Sequence, residues 1–144
     1  MTEMTGTRTI ELTRLVPAPR ARVYRAWTEA ALFSRWFGTD PERTTLDARP
    51  GGRWRGVMVY EGQEMTFSGE FVDLAEPARV VLTLTDNPDG PHALATVELT
   101  EEGEGTRLRF TQSGELPKDG VQAATEGWEH FLAGLAEVVT ATDS

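Results

Sequence analysis

The chain has 144 residues, of which 39% are hydrophobic and 26% are charged, and this composition fits one globular domain with a sizeable core. It contains no cysteine, so disulfides, thiolate metal ligands and cysteine nucleophiles are excluded. The formal charge of −9 disfavours nucleic acids and anionic membrane surfaces as partners, because their phosphates repel an acidic chain whose arginines form no run.

The first elements follow from a change in hydrophobic period. Apolar and polar residues alternate from Thr7 to Leu15, which predicts a strand with one buried face. Pro17 ends that strand, and from Arg20 to Phe37 the apolar residues take helical spacing. We expect two short helices or one broken helix there, with the break near Thr28–Glu29.

After Gly38 the pattern is that of an antiparallel meander. Turn signals such as Asn87–Gly90 recur at hairpin-like intervals, and the connections are too short for crossover helices. The segments between the turns are rich in β-branched, aromatic or alternating residues. The predicted strands are Thr44–Ala48, Arg53–Tyr60, Met65–Leu74, Arg79–Thr85, His92–Thr100 and Thr106–Ser113.

The last segment, Lys118–Thr140, returns to helical spacing and predicts one long amphipathic helix. It is the long element that can cover the apolar face of the sheet. We therefore predict an α+β helix-grip fold, in which a curved antiparallel sheet of about six or seven strands wraps around a C-terminal helix with an internal cavity. Residues 1–144 form a single domain in this prediction, with a core from about 7 to 139.

The inward-facing residues of this fold suit either a ligand pocket or a packed core. Aromatic residues with Gly56 and Gly69 among them favour an open space between the sheet and the last helix. Periodicity alone, however, does not distinguish a ligand pocket from a packed core. Alternation places Gln112 inside, either to satisfy buried backbone groups or to orient a ligand. The predicted ligand-binding residues are Trp36, Trp54, Met58, Phe67, Phe71, Leu84, Leu99, Phe110, Gln112, Trp128, Leu132 and Leu135.

The motifs of common catalytic and metal sites are missing from the sequence. It has neither an HxH nor an HExxH spacing, neither a nucleophile elbow nor a phosphate-cradling glycine loop, and His130 lies off the apolar stripe of the last helix. We therefore predict no catalytic residue, no metal and no cofactor. No apolar stretch approaches the ~18 residues of a membrane span, and we expect a cytoplasmic location.

An ordered set of motifs resembles the SRPBCC superfamily (START and Bet v 1-like helix-grip domains). Within it the chain is similar to the branch named for the activator of Hsp90 ATPase homologue 1. The resemblance spans about Thr7 to Val139. The motifs that carry it are Val23–Thr28, Arg35–Phe37, Arg49–Arg55, Ser68–Phe71, Glu76–Leu82, Gly105–Leu108 and Glu126–Trp128.

The resemblance implies a β-α-α-β6-α order and a cavity under the last helix. Three functions are compatible with it. The first is binding of a small hydrophobic or aromatic molecule in the cavity, in a carrier, sequestration or sensing role. The second is an enzyme like the polyketide cyclases and aromatases of the superfamily, and the third is a domain that interacts with an Hsp90-type chaperone. We expect a monomer or a homodimer.

Overall fold

The fold is a seven-stranded antiparallel sheet with three helices on one side, and the predicted helix-grip architecture is confirmed. A computed structural model describes residues 5–85, 92–117 and 120–140. The strands are β1 Thr5–Val16, β2 Thr45–Leu46, β3 Arg53–Tyr60, β4 Gln63–Ala75, β5 Arg79–Leu84, β6 Ala93–Glu102 and β7 Gly105–Pro117. The helices are α1 Arg20–Thr28, α2 Ala30–Phe37 and α3 Val121–Thr140, and a 3-10 turn covers Pro41–Arg43.

The strand order in the sheet is β1-β7-β6-β5-β4-β3-β2, so every consecutive pair from β2 to β7 forms a hairpin. The first strand adds to the far edge, where β1 pairs with β7 along its whole length and Leu12 lies opposite Phe110. The β2 strand is shorter than the predicted Thr44–Ala48 segment. The turn signal Asn87–Gly90 lies outside the described residues.

The helical segment breaks at Glu29, as the sequence predicts. Glu29 has an extended backbone (φ −111°, ψ 125°), so α1 ends and α2 begins on either side of it. The indole Nε1–H of Trp36 on α2 donates to the carbonyl oxygen of Ala26 on α1 at 2.7 Å, which fixes the angle between the two helices. Gly38 ends α2 with φ +86°, a left-handed conformation that glycine adopts without steric cost.

The apolar face of α3 packs onto the concave side of the sheet. Its buried residues, Trp128, Leu132, Leu135 and Val139, follow the i, i+4, i+7, i+11 spacing of one helix face. Each such burial is worth about 1.5–3 kcal/mol, so this face holds the helix on the sheet. The core lies between this face, α1, α2 and the inner side of β1 and of β3 to β7.

The sheet is interrupted between β4 and β5. Pairing runs from Ala75 back to Phe71 with a register shift, and the next bridge joins Ser68 to Thr85. In the interval, the Trp54 Nε1–H donates to the Thr83 carbonyl oxygen at 2.9 Å, which replaces a backbone bond. Gly69 allows this, because a Cβ there would lie 1.8 Å from that oxygen.

Candidate functional site

Aromatic side chains fill much of the layer between α3 and the sheet, and we call this group the aromatic cluster. Its rings come from all three helices and from β3, β4 and β7, and they meet at centroid distances of 4.3 to 6.3 Å. Most contacts are edge-to-face or tilted, the arrangements that aromatic quadrupoles favour. Its members are Trp27, Phe33, Trp36, Phe37, Trp54, Phe67, Phe110, Trp128 and Phe131.

Phe37, the last residue of α2, is the centre of the aromatic cluster. Its ring lies 5.4 Å from that of Phe67 on β4, 6.2 Å from that of Trp128 and 4.8 Å from that of Phe131 on α3. Only 3% of Phe37 is exposed. One side chain from α2 therefore joins the sheet to the C-terminal helix.

Beside the cluster, Gln112 on β7 is bonded to α3. The Trp128 Nε1–H donates to Gln112 Oε1 at 2.7 Å, and both residues are buried. The ring of Trp128 lies 4.3 Å from that of Phe110, the inward residue two positions before Gln112. This bond gives the amide a structural partner.

A cavity of about 510 Å³ lies at one end of the layer, between α2, α3 and β3, and we call it the α2–α3 opening. Phe37, Phe131 and Met58 supply apolar surface, and the cavity reaches Trp36. On α3 the bordering residues follow an i, i+3, i+4, i+7 stripe with small residues in the middle. That stripe consists of His130, Ala133, Gly134 and Glu137.

The rim of the α2–α3 opening is polar and ionisable. Arg35 stands in the last turn of α2, and His130 and Glu137 stand two helical turns apart on α3. All three are exposed to solvent. The opening therefore joins an aromatic wall to a rim that carries both signs of charge, which suits an amphipathic molecule.

The predicted site residues fall into three groups. Trp36 and Met58 border the α2–α3 opening. Trp54 borders a second groove on the other face of the sheet. The others belong to the core or pack against it, and they are Phe67, Phe71, Leu84, Leu99, Phe110, Gln112, Trp128, Leu132 and Leu135.

Sequence reasoning missed Phe37 as a site residue, and it also missed the ionisable rim. The signal for the rim was present, because His130, Ala133, Gly134 and Glu137 form a regular stripe along the last helix. The sequence pattern does not show which other elements border the same opening as this stripe. Arg35 and Met58 reach the same opening from elements far away in the chain.

Two further properties hold for the part of the chain that the structure describes. Within residues 5–85, 92–117 and 120–140, no group of three His, Asp or Glu side chains is placed to hold a metal ion. The described helices are all too short or too polar to cross a membrane.

The fold and the α2–α3 opening show to which class of protein domain the chain belongs. It is a helix-grip domain, in which α3 packs against a curved sheet. The family follows from the sequence. The profile of the family described as activator of Hsp90 ATPase homolog 1-like protein matches residues 17–140, and the chain belongs to that family. A comparison with curated proteins gives no match.

Several solved structures share the fold over almost the whole chain. Protein CV1439 from Chromobacterium violaceum is 27% identical with a TM-score of 0.81, and protein Mll3558 from Rhizobium loti is 29% identical with a TM-score of 0.79; each match covers 93% of this chain and 98% of the other. A protein from Rhizobium leguminosarum is 25% identical with a TM-score of 0.81, and the match covers 98% of this chain and 100% of that one.

Proposed function

We propose that this protein binds a small hydrophobic or aromatic molecule in the α2–α3 opening, between the sheet and the C-terminal helix. The observation that carries the proposal is the cavity of about 510 Å³ bordered by Trp36, Phe37, Met58 and Phe131. Pockets for small molecules typically measure about 300–1,000 Å³ and combine apolar walls with a few polar groups.

The rim narrows the chemistry of the ligand. Arg35, His130 and Glu137 are solvent-exposed at the mouth, while the aromatic wall lies deeper. A bound molecule would place its ring or alkyl part against Phe37 and Phe131 and leave a polar end at the mouth. Binding of this kind supports a carrier, sequestration or sensing role.

Ligand titration with a blocked variant tests the proposal. Ala133 borders the opening from the middle of α3, so Ala133→Phe places a ring in the ligand's space. The matched control is Ala123→Phe, the same change at an exposed position of the same helix. The probe is 1-anilinonaphthalene-8-sulfonate, followed by its fluorescence, and native mass spectrometry of the freshly purified chain searches for a co-purifying molecule.

We expect saturable binding to the unmodified chain and to Ala123→Phe, and binding at least about tenfold weaker, or 1.4 kcal/mol, in Ala133→Phe. Equal affinity in the two variants would place the probe elsewhere. Failure of the unmodified chain to bind any probe or to carry a co-purified molecule would refute the proposal.

A further inference from the structure

The face of the sheet opposite α3 carries a groove of about 1010 Å³ over β2 to β5, which we call the outer groove. It opens where β4 leaves β5. There the Glu70 backbone N–H donates to Thr83 Oγ1 at 2.9 Å in place of a ladder bond. The floor reaches Gly69 and the edge of Trp54, so the groove is a product of the interrupted sheet.

The pairing register lines up polar side chains along this groove. Arg55 lies opposite Thr45 of β2 on one side and opposite Ser68 of β4 on the other. Arg53 precedes Arg55 by two residues, so both guanidinium groups leave the same face of β3 about 7 Å apart along the strand. Thr66, two residues before Ser68, also borders the groove.

These side chains have no partners among the described residues. Arg53, Arg55, Thr45, Thr66 and Ser68 make no side-chain hydrogen bond or ion pair within residues 5–85, 92–117 and 120–140. Five other arginines of the sheet and its turns do pair with carboxylates at 3.5 Å or less, although Arg14 of β1 has no such partner among the described residues. Those arginines are Arg43, Arg49, Arg79, Arg107 and Arg109.

Two guanidinium groups and three hydroxyls without partners in the described part of the chain form a donor array, in a chain whose net charge is −9. A guanidinium offers a planar fork of N–H donors that matches two oxygens of an oxyanion. A carboxylate has only two oxygens that can accept hydrogen bonds from this array. A phosphate monoester has three non-bridging oxygens and close to two negative charges at neutral pH, so it matches more of the donors.

We propose that the outer groove binds a small phosphate monoester, with Arg53 and Arg55 holding the phosphoryl oxygens and Ser68 and Thr45 donating from the flanking strands. This site is separate from the α2–α3 opening, on the other face of the sheet. Glu70 lies opposite Arg53 at the border of the groove and acts against the anion. Removing the charge of Arg53 or Arg55 should therefore weaken binding of the anion, whereas removing the charge of Glu70 should strengthen it.

Amide NMR spectra of the full chain, recorded with glycerol 2-phosphate as the probe, test the proposal. Glycerol controls for the alcohol part and succinate for a dianion without a phosphoryl group. The variants are Arg55→Gln and Arg53→Gln, with Arg25→Gln as the charge-matched control on exposed Arg25 of α1. Glu70→Gln is compared with Glu104→Gln in the exposed β6–β7 turn. Ser68→Ala tests the flanking donor without a change of charge.

We expect saturable shifts of the amides of Arg53, Arg55 and Ser68 with glycerol 2-phosphate and not with glycerol. Loss of either guanidinium should weaken binding about tenfold or more, as expected for a charge-assisted hydrogen-bonding group, and Glu70→Gln should strengthen it.

Three results would overturn the proposal: no saturable shift in the folded chain, succinate binding as tightly as the phosphate ester, or Arg25→Gln weakening binding as much as Arg55→Gln. Thermal unfolding of each variant verifies that the fold is intact. None of these outcomes depends on whether the α2–α3 opening binds its own ligand.

Discussion

The indole N–H of Trp128 donates to Oε1 of Gln112 at 2.7 Å and so links the C-terminal helix to the last strand of the sheet. Both side chains are at least nine-tenths buried, with 8% and 9% of their surface exposed. A buried polar group needs a partner, and here each residue is the partner of the other. The link therefore contributes to stability chiefly by satisfying two groups that folding removes from water.

The first prediction concerns this bond. Trp128→Phe keeps an aromatic ring but removes the donor, which leaves Gln112 Oε1 buried without its partner. We expect the free energy of unfolding to fall by about 1–3 kcal/mol from the polar group alone, plus the loss of ring contacts. Urea unfolding followed by circular dichroism measures it.

The double variant Trp128→Phe/Gln112→Leu is the control for that prediction. Replacing both partners by apolar groups removes the unsatisfied amide, so the double change should cost less than the sum of the single changes. Strict additivity would show that the two side chains are energetically independent.

The second prediction concerns Phe37, the centre of the aromatic cluster. Phe37→Ala removes a fully buried ring that contacts both the sheet and α3, and we expect a loss of about 3–5 kcal/mol in unfolding free energy. Phe131→Ala, at a partly exposed position in the same cluster, should cost less. Equal losses in the two variants would contradict the central position of Phe37.

The third prediction concerns Gly69. A Cβ at this position would meet the Thr83 carbonyl oxygen at 1.8 Å and Trp54 Nε1 at 2.6 Å, so the backbone must move in Gly69→Ala. We expect destabilisation of about 1–3 kcal/mol, since overpacking against the backbone is not relieved by a rotamer change. Thermal or urea unfolding gives the value.

Gly127→Ala is the matched control, because a Cβ on Gly127 in α3 meets nothing within 4 Å. Alanine has the higher helix propensity by about 1 kcal/mol, so this change should stabilise the protein. The two glycine-to-alanine changes therefore have opposite expected signs, and a neutral or stabilising Gly69→Ala would refute the geometry at Gly69.

The fourth prediction is a pH dependence at Asp40, which caps the 3-10 turn. The Glu42 backbone N–H and the Arg43 side chain donate to its carboxylate at 3.0 Å each, and these bonds lower the pKa of Asp40 below its ordinary value of 3.8. A carboxyl whose pKa is lower in the folded state stabilises the fold above its unfolded pKa. That stability is lost as the pH falls through the folded value.

Carbon-detected NMR titration of the side-chain carboxyl should therefore give a pKa for Asp40 below 3.8. In urea unfolding, Asp40→Asn should reduce the loss of stability that accompanies acidification from about pH 5 to pH 3. Glu104→Gln, an exposed change in the β6–β7 turn, is the control. An Asp40 pKa at or above 3.8 would contradict the capping geometry.

The architecture was predictable because it depends on the local spacing of apolar and polar residues along the chain. Alternation and turn residues define the strands, and the apolar stripe of 118–140 defines the last helix, so each local preference agrees with the whole fold. The break at Glu29 was also predictable. The short β2 was not, because its length depends on where β3 offers backbone partners.

The site was predictable only in part, because a pocket depends on how distant elements meet. Trp36 and Met58, two of the predicted ligand-binding residues, border the space beside the last helix, but periodicity treats every inward residue alike. It does not reveal that Phe37 projects into the layer from the end of α2. Nor does it reveal that Gly69 lies at the interruption between β4 and β5 instead of lining a wide space between the sheet and the helix.

The pairing of β1 with β7 has a consequence for how the protein is made. The 12 residues of β1 are synthesised well before their partner in the sheet, the strand that ends at Pro117. A nascent chain therefore carries an unpaired β1 until β7 has been made, and an exposed strand edge is open to misassociation. Closure of the sheet must wait for β7, and contacts so distant in sequence predict slow folding.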